Sequence, residues 1–260
     1  MMTKRMAATA LLLGSLTLVA PARADDDPLS LAGAVTFGSD YVYRGISQTD
    51  NDPTVQGSLE VGYALSEKFS PYVSLWGSNV DFKTGGSENA SLELDATLGA
   101  RGTFALTERL GLEYDASVIY YLYPKSKASR DFNFVEFGAW AGLATPWLTP
   151  GVGYRYSPDF FASTGDASYL YGTLQVPVPL GLEKYEISLN GRFGRQWIQD
   201  NTKFGARDYN EWSAGVTLTY VPWDLSVTAA WQDTNLSKSE CFGGTKLCQS
   251  RGVVTLTKSF

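Results

Sequence analysis

The amino-acid sequence predicts an all-β fold, a transmembrane antiparallel up-and-down β-barrel of about twelve strands behind a cleaved signal peptide. Three observations predict it: an export signal at the start of the chain, period-two alternation in segments of about ten residues, and a regular exchange of short and long connections between those segments.

Lys4 and Arg5 precede an apolar run from Met6 to Ala20, followed by Pro21 and the small-residue triplet Ala22-Arg23-Ala24. This order of charged, apolar and A-x-A segments is that of a secretory signal peptide, so residues 1–24 are expected to be removed after Ala24 and residues 25–260 to form the mature protein. The apolar run falls short of the roughly twenty residues that a spanning helix requires. No later stretch approaches that length and apolarity, so the chain could cross a membrane only as a closed barrel. The run Asp25 to Asp27 beside Pro28 reads as a solvated tail and not as a calcium site.

In chain order, the first strand is read over Leu31–Tyr41. The second, Val55–Leu65, sets Val55, Leu59, Val61, Tyr63 and Leu65 against Gln56, Ser58 and Glu60. The third is Pro71–Val80; in the fourth, Leu92–Phe104, Leu92, Leu94, Ala96 and Leu98 oppose Glu93, Asp95, Thr97, Arg101 and Thr103. The fifth, Leu112–Leu122, opposes Tyr114, Val118 and Tyr120 to Glu113, Asp115 and Ser117. Asn133–Ala144, Leu148–Tyr156 and Tyr169–Val178 follow with a weaker pattern. The ninth, Tyr185–Phe193, alternates Tyr185, Ile187 and Leu189 with Glu186, Ser188, Asn190 and Arg192. Trp212–Tyr220 and Leu225–Trp231 repeat the alternation with serine and threonine inward, and Arg251–Phe260 ends the chain.

The connections after even-numbered strands are short, as at Ser66 to Ser70 and Thr145 to Trp147, whereas those after odd-numbered strands are longer and more polar, as at Arg44 to Pro53 and Thr234 to Ser250. A barrel with both termini in the periplasm shows this asymmetry, whereas a soluble sandwich has no reason to keep it. Trp76, Trp147, Trp223, Trp231 and Tyr43 fall near strand ends, where interfacial anchoring explains them. Trp140 and Tyr121 have inward parity and are expected to fill space, with stacking on a substrate as the alternative.

Composition excludes several classes of function. Removing Lys4, Arg5 and Arg23 leaves 18 of the 21 basic residues against 27 acids, a formal charge of −9 that disfavours nucleic acid as a partner. The chain has no histidine, which removes Ser-His-Asp and Cys-His relays and His-ligated zinc; neither enzyme activity, metal nor cofactor is expected, although a palmitoyl-transferase type or another histidine-free mechanism stays open. Cys241 and Cys248 lie in one segment, CFGGTKLC, of an exported chain and are expected to form a local disulfide. A mean hydropathy of −0.13 is compatible with a barrel, since alternate residues face a polar interior.

The chain ends on VVTLTKSF, with Val254, Leu256 and Phe260 on one face and Thr255, Thr257 and Ser259 on the other. A terminal aromatic on an amphipathic last strand resembles the signal read by the barrel assembly machinery. Lys258 departs from that pattern, with a stem long enough to snorkel. The runs SDYVYRGISQTDNDPTVQG from Ser39, PYVSLWGSNVDF from Pro71 and ELDATLGARG from Glu93 resemble the TorF family of bacterial porin-like proteins, most strongly over the first third of the chain. The resemblance implies a porin-like barrel in the outer membrane of a Gram-negative cell and brings no catalytic or binding residues with it.

The pore-lining candidates divide by charge. Glu60, Glu93, Asp95, Glu113, Asp115 and Glu136 come from strands two to six, and Arg155, Arg192 and Arg251 from strands seven to twelve. In a closed ring these would form opposed acidic and basic walls, a field that sets charge preference for small polar or charged solutes. Arg101 interrupts the acidic arc and is expected to bridge Asp95 or Asp115. Tyr41 to Asp52, with Asp40, Arg44, Gln48, Asp50 and Asp52 beside Gly45, is the candidate for a mouth-lining loop, or simply a turn. Two readings follow: a channel passing small solutes, or a closed barrel, filled by paired charges, that acts through its outer loops. The partners expected are outer-membrane lipid, small solutes and the assembly machinery.

Overall fold

In a computed structural model the chain is described over residues 28–82, 90–124 and 132–260. The proposed signal peptide, the Asp25 to Asp27 tail and parts of two long connections lie outside these residues. Twelve strands close into one antiparallel ring: β1 (Leu29–Gly38), β4 (Thr54–Tyr63), β5 (Ser70–Asn79), β6 (Leu92–Thr107), β7 (Leu110–Leu122), β8 (Phe134–Ala144), β9 (Thr149–Ser157), β10 (Ala167–Val178), β11 (Tyr185–Ile198), β12 (Tyr209–Tyr220), β13 (Leu225–Thr234) and β14 (Arg251–Ser259). Each strand pairs with its neighbours in sequence, the pattern that short hairpins favour. A two-residue ladder, β2 (Val42–Tyr43) with β3 (Ile46–Ser47), stands apart from the ring.

Closure is made by β1, which pairs Ala34 through Gly38 with Ser259 through Thr255 of β14 and, on its other edge, Leu29 through Gly38 with Tyr63 through Thr54 of β4. The terminal Phe260 completes the seam: its amide and carbonyl exchange hydrogen bonds with Gly33 at 3.0 and 2.9 Å. Its ring lies where a side chain on Gly33 would stand, only 2.5 Å from an ideal Cβ, so any larger residue there would displace the ring from the seam.

The alternation sorts residues as expected. Leu31, Leu59, Leu75, Leu98, Phe193 and Val254 point out of the ring and are 52 to 67% exposed. In water so large an apolar surface would be a liability; against lipid it is the required outer face. Trp147 and Trp223 sit exposed at short turns, where an interfacial ring belongs. Inward positions are held by buried serine, threonine and charged side chains.

Several boundaries differ from the sequence reading by two or more residues, and three of them shape the long-connection end. β1 stops at Gly38 instead of Tyr41, because the Asp40 carboxylate accepts from the Ser47 and Thr49 hydroxyls and turns the chain inward. β11 continues past Phe193 to Ile198, and β12 begins at Tyr209, so this pair rises further towards the long connections. The disulfide joins Cys241 and Cys248 as expected and closes a compact turn in the last long connection.

Candidate functional site: a strap across the lumen

The β1–β4 connection folds inward. Arg44 and Gly45 form its tip with φ of 48° and 80°, and a side chain on Gly45 would come within 2.4 Å of Thr234. A left-handed tip pressed against the wall requires glycine at the second position. Arg44 is thereby thrown across the ring to β8 and β11. Its guanidinium donates to both carboxylate oxygens of Glu136 at 2.7 and 2.8 Å and to Gln196 Oε1 at 2.6 Å. The Tyr169 and Tyr43 rings flank it, with centroids 4.2 and 4.6 Å from Cζ. A planar fork between a carboxylate and two aromatic faces is an arrangement that lysine could not reproduce.

The other end of this strap is fastened to the ring. Arg251 donates to Asp40 at 2.8 Å and to Asn51, the Ser47 amide donates to the Leu247 carbonyl at 2.9 Å, and the Asp81 amide donates to the Gln48 carbonyl at 2.7 Å. Tyr41 donates to Glu93 at 3.1 Å and packs on Trp76. Of the residues expected at the mouth, Asp40 and Arg44 are therefore structural ties, Gln48 folds its amide onto the Ile46 carbonyl, and Asp50 occupies a left-handed turn. Trp76 and Tyr43, read from the sequence as interfacial anchors, are instead part of the interior, with the Tyr43 hydroxyl bound to Glu136.

All ten pore-lining candidates face inward. Glu60, Glu93, Asp95, Asp115, Glu136, Arg155 and Arg192 are buried, and Arg101, Glu113 and Arg251 are half-buried. Arg101 does not bridge Asp95 or Asp115: it pairs with Glu60 two strands away and lies over the Tyr72 ring, whose hydroxyl takes the Asp115 carboxylate at 2.8 Å. Asp115 is thus satisfied by tyrosine, leaving Arg101 to Glu60. Arg192 pairs at 2.8 Å with Glu211, which also accepts from the Tyr169 hydroxyl. The sequence reading missed Glu211, because the tenth strand was begun at Trp212; the outward parity of Trp212 would have marked its neighbour as inward. Gln196 was missed for the same reason, lying beyond the expected end of the ninth strand.

Several inward groups keep unused bonding capacity, among them an acid on β6 and a base on β9. Asp95 Oδ1 and one terminal nitrogen of Arg155 are buried without a hydrogen-bond partner. The Arg155 head lies against Gly138, where even a methyl group would come within 2.7 Å of it. Trp140 and Tyr121 fill space: the Trp140 indole lies over Gly142 and Gly151 and donates to Thr173, and Tyr121 stacks on Phe134 at 4.2 Å.

Beyond the strap, at the long-connection end, lies a cavity of about 420 Å³. Its wall is largely aromatic, including Phe82, Phe132, Phe160, Phe161, Phe204 and Phe242.

A ring sealed at its seam, apolar without and charged within, with an inward-folded loop across its lumen, defines a β-barrel of the membrane-spanning kind. The chain belongs to the family described as bacterial protein of unknown function (Gcw_chp), whose model matches residues 22–260. No curated protein matches the sequence. Among solved structures it is similar to OprD of Pseudomonas aeruginosa, with 15% identity over 90% of this chain and 66% of that one and a TM-score of 0.46; the chain thus spans just under two thirds of that porin's length. It is similar to a chain from a study of the in-meso crystallization of membrane proteins, at 10% identity, 88% and 83% coverage and a TM-score of 0.50. It is also similar to the KdgM porin, at 12% identity, 88% and 99% coverage and a TM-score of 0.45. Likeness at these identities concerns the fold alone.

Proposed function

We propose that the protein is a porin-like channel of the outer membrane, of the TorF type, which passes small polar or charged solutes and is constricted by the strap from Tyr41 to Asp52. The observation that carries this reading is the loop itself: a polar strap folded into a ring and held by ion pairs and hydrogen bonds, not covalently, is suited to act as a constriction that yields when its ties are broken. Asp95 and Arg155, one acceptor and one donor with capacity to spare, are the groups assigned to meet a solute below the constriction. Glu93 and Glu113 continue the acidic arc and Arg192 the basic one, so a dipolar solute would be oriented between them. The signal peptide over residues 1–24 directs export, and the strand ending in Phe260 serves insertion by the assembly machinery.

A second reading is a closed barrel acting through its outer loops without transport. The burial of the lumen's ion pairs favours it: Arg44, Glu136 and Glu211 are each no more than 4% exposed, so the lumen is shut at that level. Planar-bilayer recording separates the two. Discrete current steps from the purified protein support the channel, and a silent bilayer containing correctly inserted protein supports the closed barrel.

A further inference from the structure

We propose that the aromatic cavity above the strap is a binding site for a small neutral aromatic molecule, a function distinct from passage through the lumen. All six long connections converge on it: the strap supplies Tyr43, and the other five supply Phe82, Phe132, Phe161, Phe204 and Phe242. Its volume of about 420 Å³ lies within the usual range of small-molecule pockets.

The rings that bound it are already arranged as aromatic groups prefer. Phe82 meets Phe132 and Phe161 edge to face at 85° and 79°, and Phe132 stacks on Phe161 at 4.7 Å. Phe204 meets Phe242 at 66° and Phe160 at 43°, and Phe160 in turn packs on Phe134. A further ring entering the cavity would extend the same edge-to-face pattern, each contact adding to the gain from burial. Phe242 is held with φ of 43° inside the disulfide turn, a conformation costly for a non-glycine residue. Strain of this kind persists where surrounding structure enforces it, and here the cross-link and the Gly205 contact hold the ring at the cavity wall.

The polar groups on the wall point to a neutral occupant because they are committed within the chain. Ser47 donates to Asp40 at 2.7 Å, Gln48 to the Ile46 carbonyl at 2.9 Å, Thr245 to the Cys241 carbonyl at 3.2 Å, and Lys203 to the Ser163 carbonyl. Among the described residues of the wall, a cation would find no carboxylate and an anion only the single Lys203 ammonium, already bound to the Ser163 carbonyl, against the hydration either would lose.

The test is equilibrium dialysis of indole against the full-length protein in lipid nanodiscs, with empty discs as the reference for partition into lipid. Saturable one-to-one uptake above that reference is expected. Phe161→Ala and Phe242→Ala should each weaken it roughly tenfold, while Leu59→Ala in the outer face leaves it unchanged. Benzoate, the ring with a charge, should compete poorly. Uptake equal to that of empty discs overturns the proposal, as does wild-type affinity in both phenylalanine variants; benzoate binding as tightly as indole overturns the neutral class. Heat-dependent gel mobility reports whether each variant has folded, and the wild-type isotherm decides the matter if either has not. Failure of the channel reading leaves a different signature, since a silent bilayer with intact indole binding sinks transport alone.

Discussion

The Arg44 guanidinium spans the lumen to grip both oxygens of Glu136, at 2.7 and 2.8 Å, and this pair joins a loop that leaves β1 to the far wall of the ring. Both side chains are almost wholly buried, so the tie holds only while both charges are present. Arg44→Ala is expected to cost about 3–5 kcal/mol, chiefly by stranding a buried carboxylate. If the strap is the constriction, the same change should raise single-channel conductance; an unchanged conductance in folded protein removes the strap from the pathway.

Arg192 and Glu211 form a second buried pair and allow a cleaner energetic measurement. Arg192→Met alone should destabilise the barrel by about 3–5 kcal/mol, whereas the double change with Glu211→Leu should recover much of that loss, because the desolvation of both charges disappears with them. Urea unfolding from lipid vesicles for the two singles and the double gives the coupling energy. Strict additivity would mean that the two groups act independently.

Leu75 lies at the middle of β5 with its side chain outside the ring and 63% exposed. Leu75→Arg should cost about 2–4 kcal/mol in a bilayer, the range for a cation at mid-depth on the lipid face of a barrel. The measurement is folding efficiency into vesicles, and a neutral result would place this face away from lipid.

Glu93 and Asp95 are inward carboxylates on β6. Replacing both by lysine should shift the reversal potential under a salt gradient towards anion preference if solutes pass them. An unaltered reversal potential in a conducting variant would show that the ions take another path.

Outside the barrel wall, Glu240 lies 2.7 Å from Arg207 and closes a capping box with Ser237. Arg207 foremost, and then Ser237, hold its carboxyl down to about 2. A depressed acid contributes order above its ordinary value of about 4.3 and loses it as pH falls through the lowered one. Amide hydrogen exchange at Ser237 and Glu240 should therefore stay slow down to about pH 3 and accelerate below it; the group is exposed, so added salt should weaken the effect. Loss of protection already at pH 5 would contradict the pairing.

The ring was legible in the chain because its causes are local. Val55 to Leu65 and Leu112 to Leu122 carry their two faces in period two, and hydrogen bonding in lipid leaves closure as the only outcome for such strands. The inward charges were equally readable, since parity assigns Glu60, Asp95, Asp115 and Arg155 without knowledge of neighbours. The Cys241–Cys248 cross-link followed from spacing and compartment. Glu211 and Gln196 escaped only because strand ends fade into loops, where alternation no longer speaks.

Partner choice inside the lumen was not legible. Arg101 reaches Glu60 and not its acidic neighbours, 92 residues separate Arg44 from Glu136, and the phenylalanines of the outer cavity come from connections spread over most of the chain. Strand parity tells each side chain which way to point, while strand tilt, ring closure and the fold of the long connections decide what stands opposite it. Such meetings between distant segments exist only once the ring has closed, which is why wall and lumen could be read residue by residue and the strap, its ties and the aromatic chamber above it could not.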